Sequence, residues 1–107
     1  MTVYMTNREI CLKAAERLRE VGWRQGDFGG ADGPHCLVGA CMWVTGPERR
    51  VADQVVPTDV AYVAGGAAYA HTHGSGAYFG DVAAVMAWND EPGRTVEEVI
   101  ATLEACP

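Results

Sequence analysis

The chain has 107 residues, the length of one domain built around one core. Hydrophobic residues make up 49% and charged residues 21%, a globular composition that excludes an intrinsically disordered chain. Acidic residues number 14 against 8 basic ones, and the net charge of -6 argues against nucleic-acid binding through a basic patch.

The first predicted element begins at Thr6. Thr6-x-x-Glu9 reads as a capping box, and Ile10, Ala14, Leu18 and Val21 recur at helical spacing behind it. Gly22 is the expected stop, as a left-handed cap, and Trp23 beyond it is expected to pack back onto the core. Residues 24–33 form a loop rich in Gly and Asp. No Gly-Lys-Ser/Thr follows, so the loop reads as a connection and not as a phosphate cradle.

A second helix is predicted from near Pro34, since proline suits a first helical turn, to Gly46-Pro47. It is apolar nearly all round, with Leu37, Ala40, Cys41 and Val44 on one face and Cys36, Gly39 and Trp43 on another. That pattern marks a buried helix. Residues 48–57 read as a short strand or an irregular segment. Thr58-Asp59 opens a third helix with Val60, Val63, Ala64, Ala67 and Ala68 as its stripe. Gly65-Gly66 in its middle predicts close packing against another backbone, with a kink as the alternative.

His71-Thr72-His73-Gly74-Ser75-Gly76 reads as a second loop. A fourth helix carries Phe79, Val82, Ala83 and Met86 on one face and ends at Trp88-Asn89-Asp90. Glu91-Pro92-Gly93 is a turn, and Thr95-x-x-Glu98 is a second capping box. Val96, Val99, Ile100 and Leu103 line the last helix, with Cys106 near its end. The expectation is an all-α fold: one compact domain over residues 1–107, of about five short helices.

No run of about 18 apolar residues exists, so no membrane helix is predicted. Residues 1–10 lack an apolar signal core, which points to the cytoplasm. Cys11, Cys36, Cys41 and Cys106 are then expected as free thiols filling core space.

Three stretches resemble a family of small proteins of unknown function from actinobacteria and their phages. They are Ala15-x-x-Leu18-x-x-x-Gly22-Trp23-x-Gln25-Gly26, Cys36-Leu37-x-Gly39-Ala40, and Trp88-Asn89-Asp90-x-x-Gly93-Arg94-Thr95-x-x-Glu98-Val99. Residues 45–80 fall outside the resemblance. It implies a small cytosolic domain and carries no activity with it. Read from the residues themselves, the motifs are structural. Trp88 anchors the core, and Asn89 and Asp90 bind turn amides. Asp90 pairs with Arg94, and Thr95 caps the last helix. Trp23, Cys36 and Gly39 are assigned to packing.

Two chemical constellations stand against that reading. Cys36 near a helix start could be a nucleophile, with His71 or His73 as base and Asn89 or Asp90 orienting it. Cys36, Cys41, His71 and His73 could ligate zinc. However, Cys-x4-Cys and His-x-His are poor spacings for it, and no metal or cofactor is expected. His35, beside Cys36, reads as a solvated residue in a first helical turn, because no charge partner is evident.

With no coherent catalytic set, the sequence points to a small acidic cytoplasmic accessory protein. It would act by protein–protein binding without catalysis, on an unknown protein partner, which for a phage protein would be a host protein. Homodimer formation is a second expectation. Trp43, Tyr62, Tyr69, Tyr78 and Phe79 are more aromatic residues than one small core needs. The alternative is a Cys/His-dependent hydrolase or transferase. Loops 24–33 and 71–77 are the expected functional surfaces.

Overall fold

The capping box at Thr6 forms as the sequence predicts. The Thr6 hydroxyl accepts from the Glu9 amide at 3.1 Å, and the Thr6 amide donates to Glu9 Oε1 at 2.9 Å. Helix α1 (Asn7–Val21) follows and buries Ile10, Cys11, Ala14, Ala15 and Leu18. Gly22 ends it at φ 97° and ψ 170°. This is not the left-handed helical cap the sequence suggested. It is an extended conformation with positive φ, open essentially to glycine alone. The computed structural model describes residues 6–30, 32–45, 57–73 and 82–107, with side chains described from residue 63 in the third helix and from 83 in the fourth.

After α1 the chain runs extended. Trp23 and His35 form an isolated parallel bridge. The Arg24 amide donates to the His35 carbonyl at 3.0 Å, and the His35 amide donates to the Gly22 carbonyl at 3.2 Å. These bonds hold His35 out of helical geometry, so α2 (Leu37–Val44) begins later than predicted and Pro34 lies outside it. Cys36 is the N-cap, its sulfur accepting from the Gly39 amide at 3.3 Å. Leu37, Val38, Gly39, Ala40, Cys41 and Val44 are buried, as an all-round apolar helix requires, while Trp43 stands out at 44% exposure.

Helix α3 (Pro57–His73) is continuous through Gly65-Gly66. A Cβ at Gly65 would lie 3.2 Å from Leu37 Cδ2, so close packing on α2 is what the small residue permits. Residues 48–56, expected as a strand or irregular segment, lie outside the described residues. The predicted loop at His71 is corrected. His71, Thr72 and His73 form the last turn of α3, where imidazoles suit the negative helix end. The Thr72 hydroxyl lies 3.2 Å from the Ala68 and Tyr69 carbonyls.

Helix α4 (Val82–Asn89) turns a different face inward from the one predicted. Ala83 is exposed and Met86 half-buried, while Val85 and Asn89, one turn apart, are buried. Phe79 and the Val82 side chain lie outside the described residues. Helix α5 (Val96–Glu104) has its capping box, with Thr95 N to Glu98 Oε1 at 2.9 Å, and buries Val99, Thr102 and Leu103. Thr102 satisfies its hydroxyl on the Glu98 carbonyl at 3.0 Å.

Among the described residues these five helices form, and no sheet. Helix α1 packs on α2, α3 and α5, and α4 rests on α2 and α3. Ile10, Leu18, Leu37, Val38, Val85, Val99 and Leu103 fill the core together with all four cysteines, which are free thiols. Burying each of the larger aliphatic side chains contributes about 1.5–3 kcal/mol. No helix among the described residues is long and apolar enough to cross a membrane.

Candidate functional site

Asn89 is fully buried and joins three parts of the chain. Its Oδ1 accepts from the Trp23 indole at 2.8 Å and from the Leu37 amide at 3.1 Å. Its Nδ2 donates to the Arg24 carbonyl at 3.2 Å and to Asp90 Oδ1 at 2.9 Å. Asp90 Oδ1 also accepts from the Gly26 amide at 3.0 Å. Gln25 donates to the Asn89 and Glu91 carbonyls. The motif residues Trp23, Gln25, Gly26, Leu37, Asn89 and Asp90, distant in sequence, thus form one polar knot. Besides Asp90 in its own turn, Asn89 binds the Trp23 side chain and backbone groups of two other segments, and the amide it accepts from is that of Leu37 and not one of its own turn.

Arg94 does not pair with Asp90. Its guanidinium meets Glu91 at 2.7 Å and Glu98 at 3.1 Å. Its Nε donates to the Trp88 carbonyl at 3.0 Å, and its Cζ lies 4.2 Å from the Trp88 ring centroid. Trp88 is half-buried and meets Tyr69 and His73 edge-on, at 5.9 and 5.0 Å between centroids. His73 stacks on Tyr69 at 4.3 Å.

Among the described residues no hydrogen bond joins Cys36 to His71 or His73. Cys36 is fully buried, and its sulfur sits 3.8 Å from Met86 Sδ. Burial pushes its thiol pKa up. The Gly39 and Val38 amides pull the other way, and the Asp90 charge raises it further. His73 Nδ1 lies within bonding distance of the Thr72 hydroxyl and the Tyr69 carbonyl, and His71 is exposed. Among the described residues, no group of three His, Cys, Asp or Glu side chains could hold a metal ion.

His35 corrects the sequence reading. It is 2% exposed, and Arg17 Nε donates to its Nε2 at 3.2 Å. Arginine can only donate, so Nε2 accepts and the ring proton resides on Nδ1, 3.4 Å from the Phe28 carbonyl. The imidazole is neutral in this arrangement. Burial lowers its pKa, the Phe28 carbonyl opposes that, and the Arg17 charge lowers it further. Arg17 also covers the face of Trp43 at 3.8 Å, a cation–π contact the sequence did not announce. Neither residue lay in a recognisable motif. The only hint was a histidine between Gly33-Pro34 and an apolar run.

A concavity lies elsewhere. A groove of about 560 Å³ runs between the C-terminal half of α1 and the length of α5. Leu18, Trp23, Val96 and Ile100 form its apolar floor, and Arg19, Glu97 and Glu104 its charged rim. Arg19 and Glu104 pair across it at 2.9 Å, both exposed. Loops 24–33 and 71–77, the functional surfaces expected from the sequence, contribute no described residue to its lining. Its lining is contributed by two helices far apart in the chain.

Residues 3–106 match the model of a family of unknown function, DUF6197, and the match runs through residues 45–80, which the three motifs had left out. No curated protein and no solved structure matches the chain.

Proposed function

The chain belongs to the DUF6197 family of unknown function, and we propose from its own residues that it works by binding another protein, without catalysis. In this reading it is a small acidic accessory protein of the cytoplasm, of actinobacterial or phage origin, forming one domain over residues 1–107. The observation that carries the reading is the open apolar groove between α1 and α5, bounded by charge on its rim. Apolar concavities of this size on a small soluble protein favour a binding role. The motif residues, by contrast, are spent on structure. Trp23, Asn89 and Asp90 knot the segments, Thr95 caps α5, and Cys36 caps α2 with a buried sulfur.

The test is affinity capture with the purified full chain, paired with light scattering. The expected outcome is a saturable, stoichiometric complex with one partner, purified and reconstituted from the two components. A chain that stays strictly monomeric and forms no such complex overturns the reading.

A further inference from the structure

Resting on that reading, we infer that the α1–α5 groove receives an amphipathic helix from the partner, carrying basic residues about seven positions apart on either side of its apolar anchors. Three observations lead to this occupant.

The floor is apolar and, apart from Gly22 and Trp23, the lining is helical. Val96 and Ile100 lie one turn apart on α5, facing Leu18 and Trp23 from the α1 side. Helical walls satisfy their own backbone groups, so they offer no ladder to an extended peptide. Such a peptide would lay unpaired N–H and C=O groups on an apolar surface, losing their hydration with no hydrogen bond in return. A helix brings its backbone already paired, and its i, i+3, i+4 side chains can fill the groove.

The rim selects charge. Glu97 is exposed and forms no ion pair among the described residues. Glu104 sits seven positions on, about 10 Å along the helix. Among the described residues its ion pair is with exposed Arg19, and such exposed pairs contribute little and exchange readily. The C-terminal end of α5 adds its own negative potential beside Glu104. A Lys or Arg at each end of the incoming helix would match both carboxylates.

The whole chain points the same way. With a net charge of -6, a second copy brings repulsion to the groove, and so does an anionic lipid surface. A basic partner is steered toward it.

A display library of 16-residue helical peptides, randomised at the outward positions, is selected against the full chain at low salt. Enriched peptides are then measured by fluorescence anisotropy against the wild-type chain, Ala101→Arg and Glu97→Lys. Ala101 is exposed on the groove lining, so an arginine there blocks the floor without entering the core. Circular dichroism melts verify that both variants fold. Enriched sequences are expected to be basic, with apolar residues at helical spacing between the charges. Ala101→Arg should weaken them at least ten-fold. Glu97→Lys should weaken them several-fold and flatten the dependence on salt. Selection that enriches nothing, or enriches acidic peptides, or yields peptides indifferent to Ala101→Arg, overturns the groove assignment. A natural partner that binds wild type and Ala101→Arg equally also overturns it, while leaving the protein-binding reading in place. If neither chain forms a complex with any protein, both fall.

Discussion

His35 shows how one side chain can report on the fold. It is held neutral between the Arg17 guanidinium and the Phe28 carbonyl, in a place with almost no solvent contact. Protonation would set two cations against each other and remove the acceptor that Arg17 uses. The folded-state pKa is therefore below the ordinary value of about 6.5. Between those two values the unfolded chain binds a proton that the folded chain refuses, so stability rises with pH across that window. The contribution is fully present above about pH 6.5 and is lost as the pH falls toward the folded-state pKa. Urea melts from pH 7.5 down to 5.5 should show this loss, and His35→Gln, whose side-chain oxygen can still accept from Arg17, should reduce it. Equal pH slopes for the two proteins would show that His35 is not held neutral. Arg17 also meets Glu20 at 2.8 Å, but the glutamate is mostly exposed and cannot offset a buried imidazolium.

At the level of elements, the helices divide into those specified locally and those placed by contact. α1 and α5 carry capping boxes, and the α1 stripe is the one read from the sequence, while α5 buries Val99, Thr102 and Leu103 and leaves Val96 and Ile100 half-buried in the groove. The carboxylates of Glu9 and Glu98 sit below their usual range, chiefly because each accepts from the backbone amide of its capping threonine. α2 is different. Its position depends on Gly39, where a Cβ would overlap the Phe28 carbonyl oxygen of the preceding loop. An alanine usually gains up to about 1 kcal/mol over glycine inside a helix. Here the contact is with backbone, which cannot rotate aside, and overpacking costs about 1–3 kcal/mol. Gly39→Ala should lower stability by about that amount in chemical denaturation, opposite in sign to the propensity effect. A stabilised variant would mean that the loop does not rest on α2.

Over the whole molecule, all four cysteines are buried in one core, and none is paired. Contact with the Cys41 thiol, and then burial, push the Cys11 pKa far above its ordinary value. Burial, followed by Cys11, pushes Cys106 up to about 12. With burial raising Cys36 as well, none of these three thiols is poised to react at neutral pH, and Cys41 is fully buried beside them. Thiol-probe labelling in native buffer should therefore be slow at Cys11, Cys36, Cys41 and Cys106 alike. It should accelerate with urea as global unfolding does. A Cys36 that labels far ahead of the other three would restore the Cys/His enzyme as a candidate. The sequence by itself determined the all-α class, both capping boxes, the α1 stripe and the buried free thiols. Each follows from side chains three or four residues apart, or from composition, and needs no knowledge of distant segments. Only the tertiary structure decided that Asn89 ties Trp23 to Leu37, that His35 is buried against Arg17, that α4 turns Val85 inward, and that α1 and α5 leave a groove with an acidic rim. Those features join residues 18 to 85 positions apart, and chain distance places no constraint on such meetings until the helices have packed.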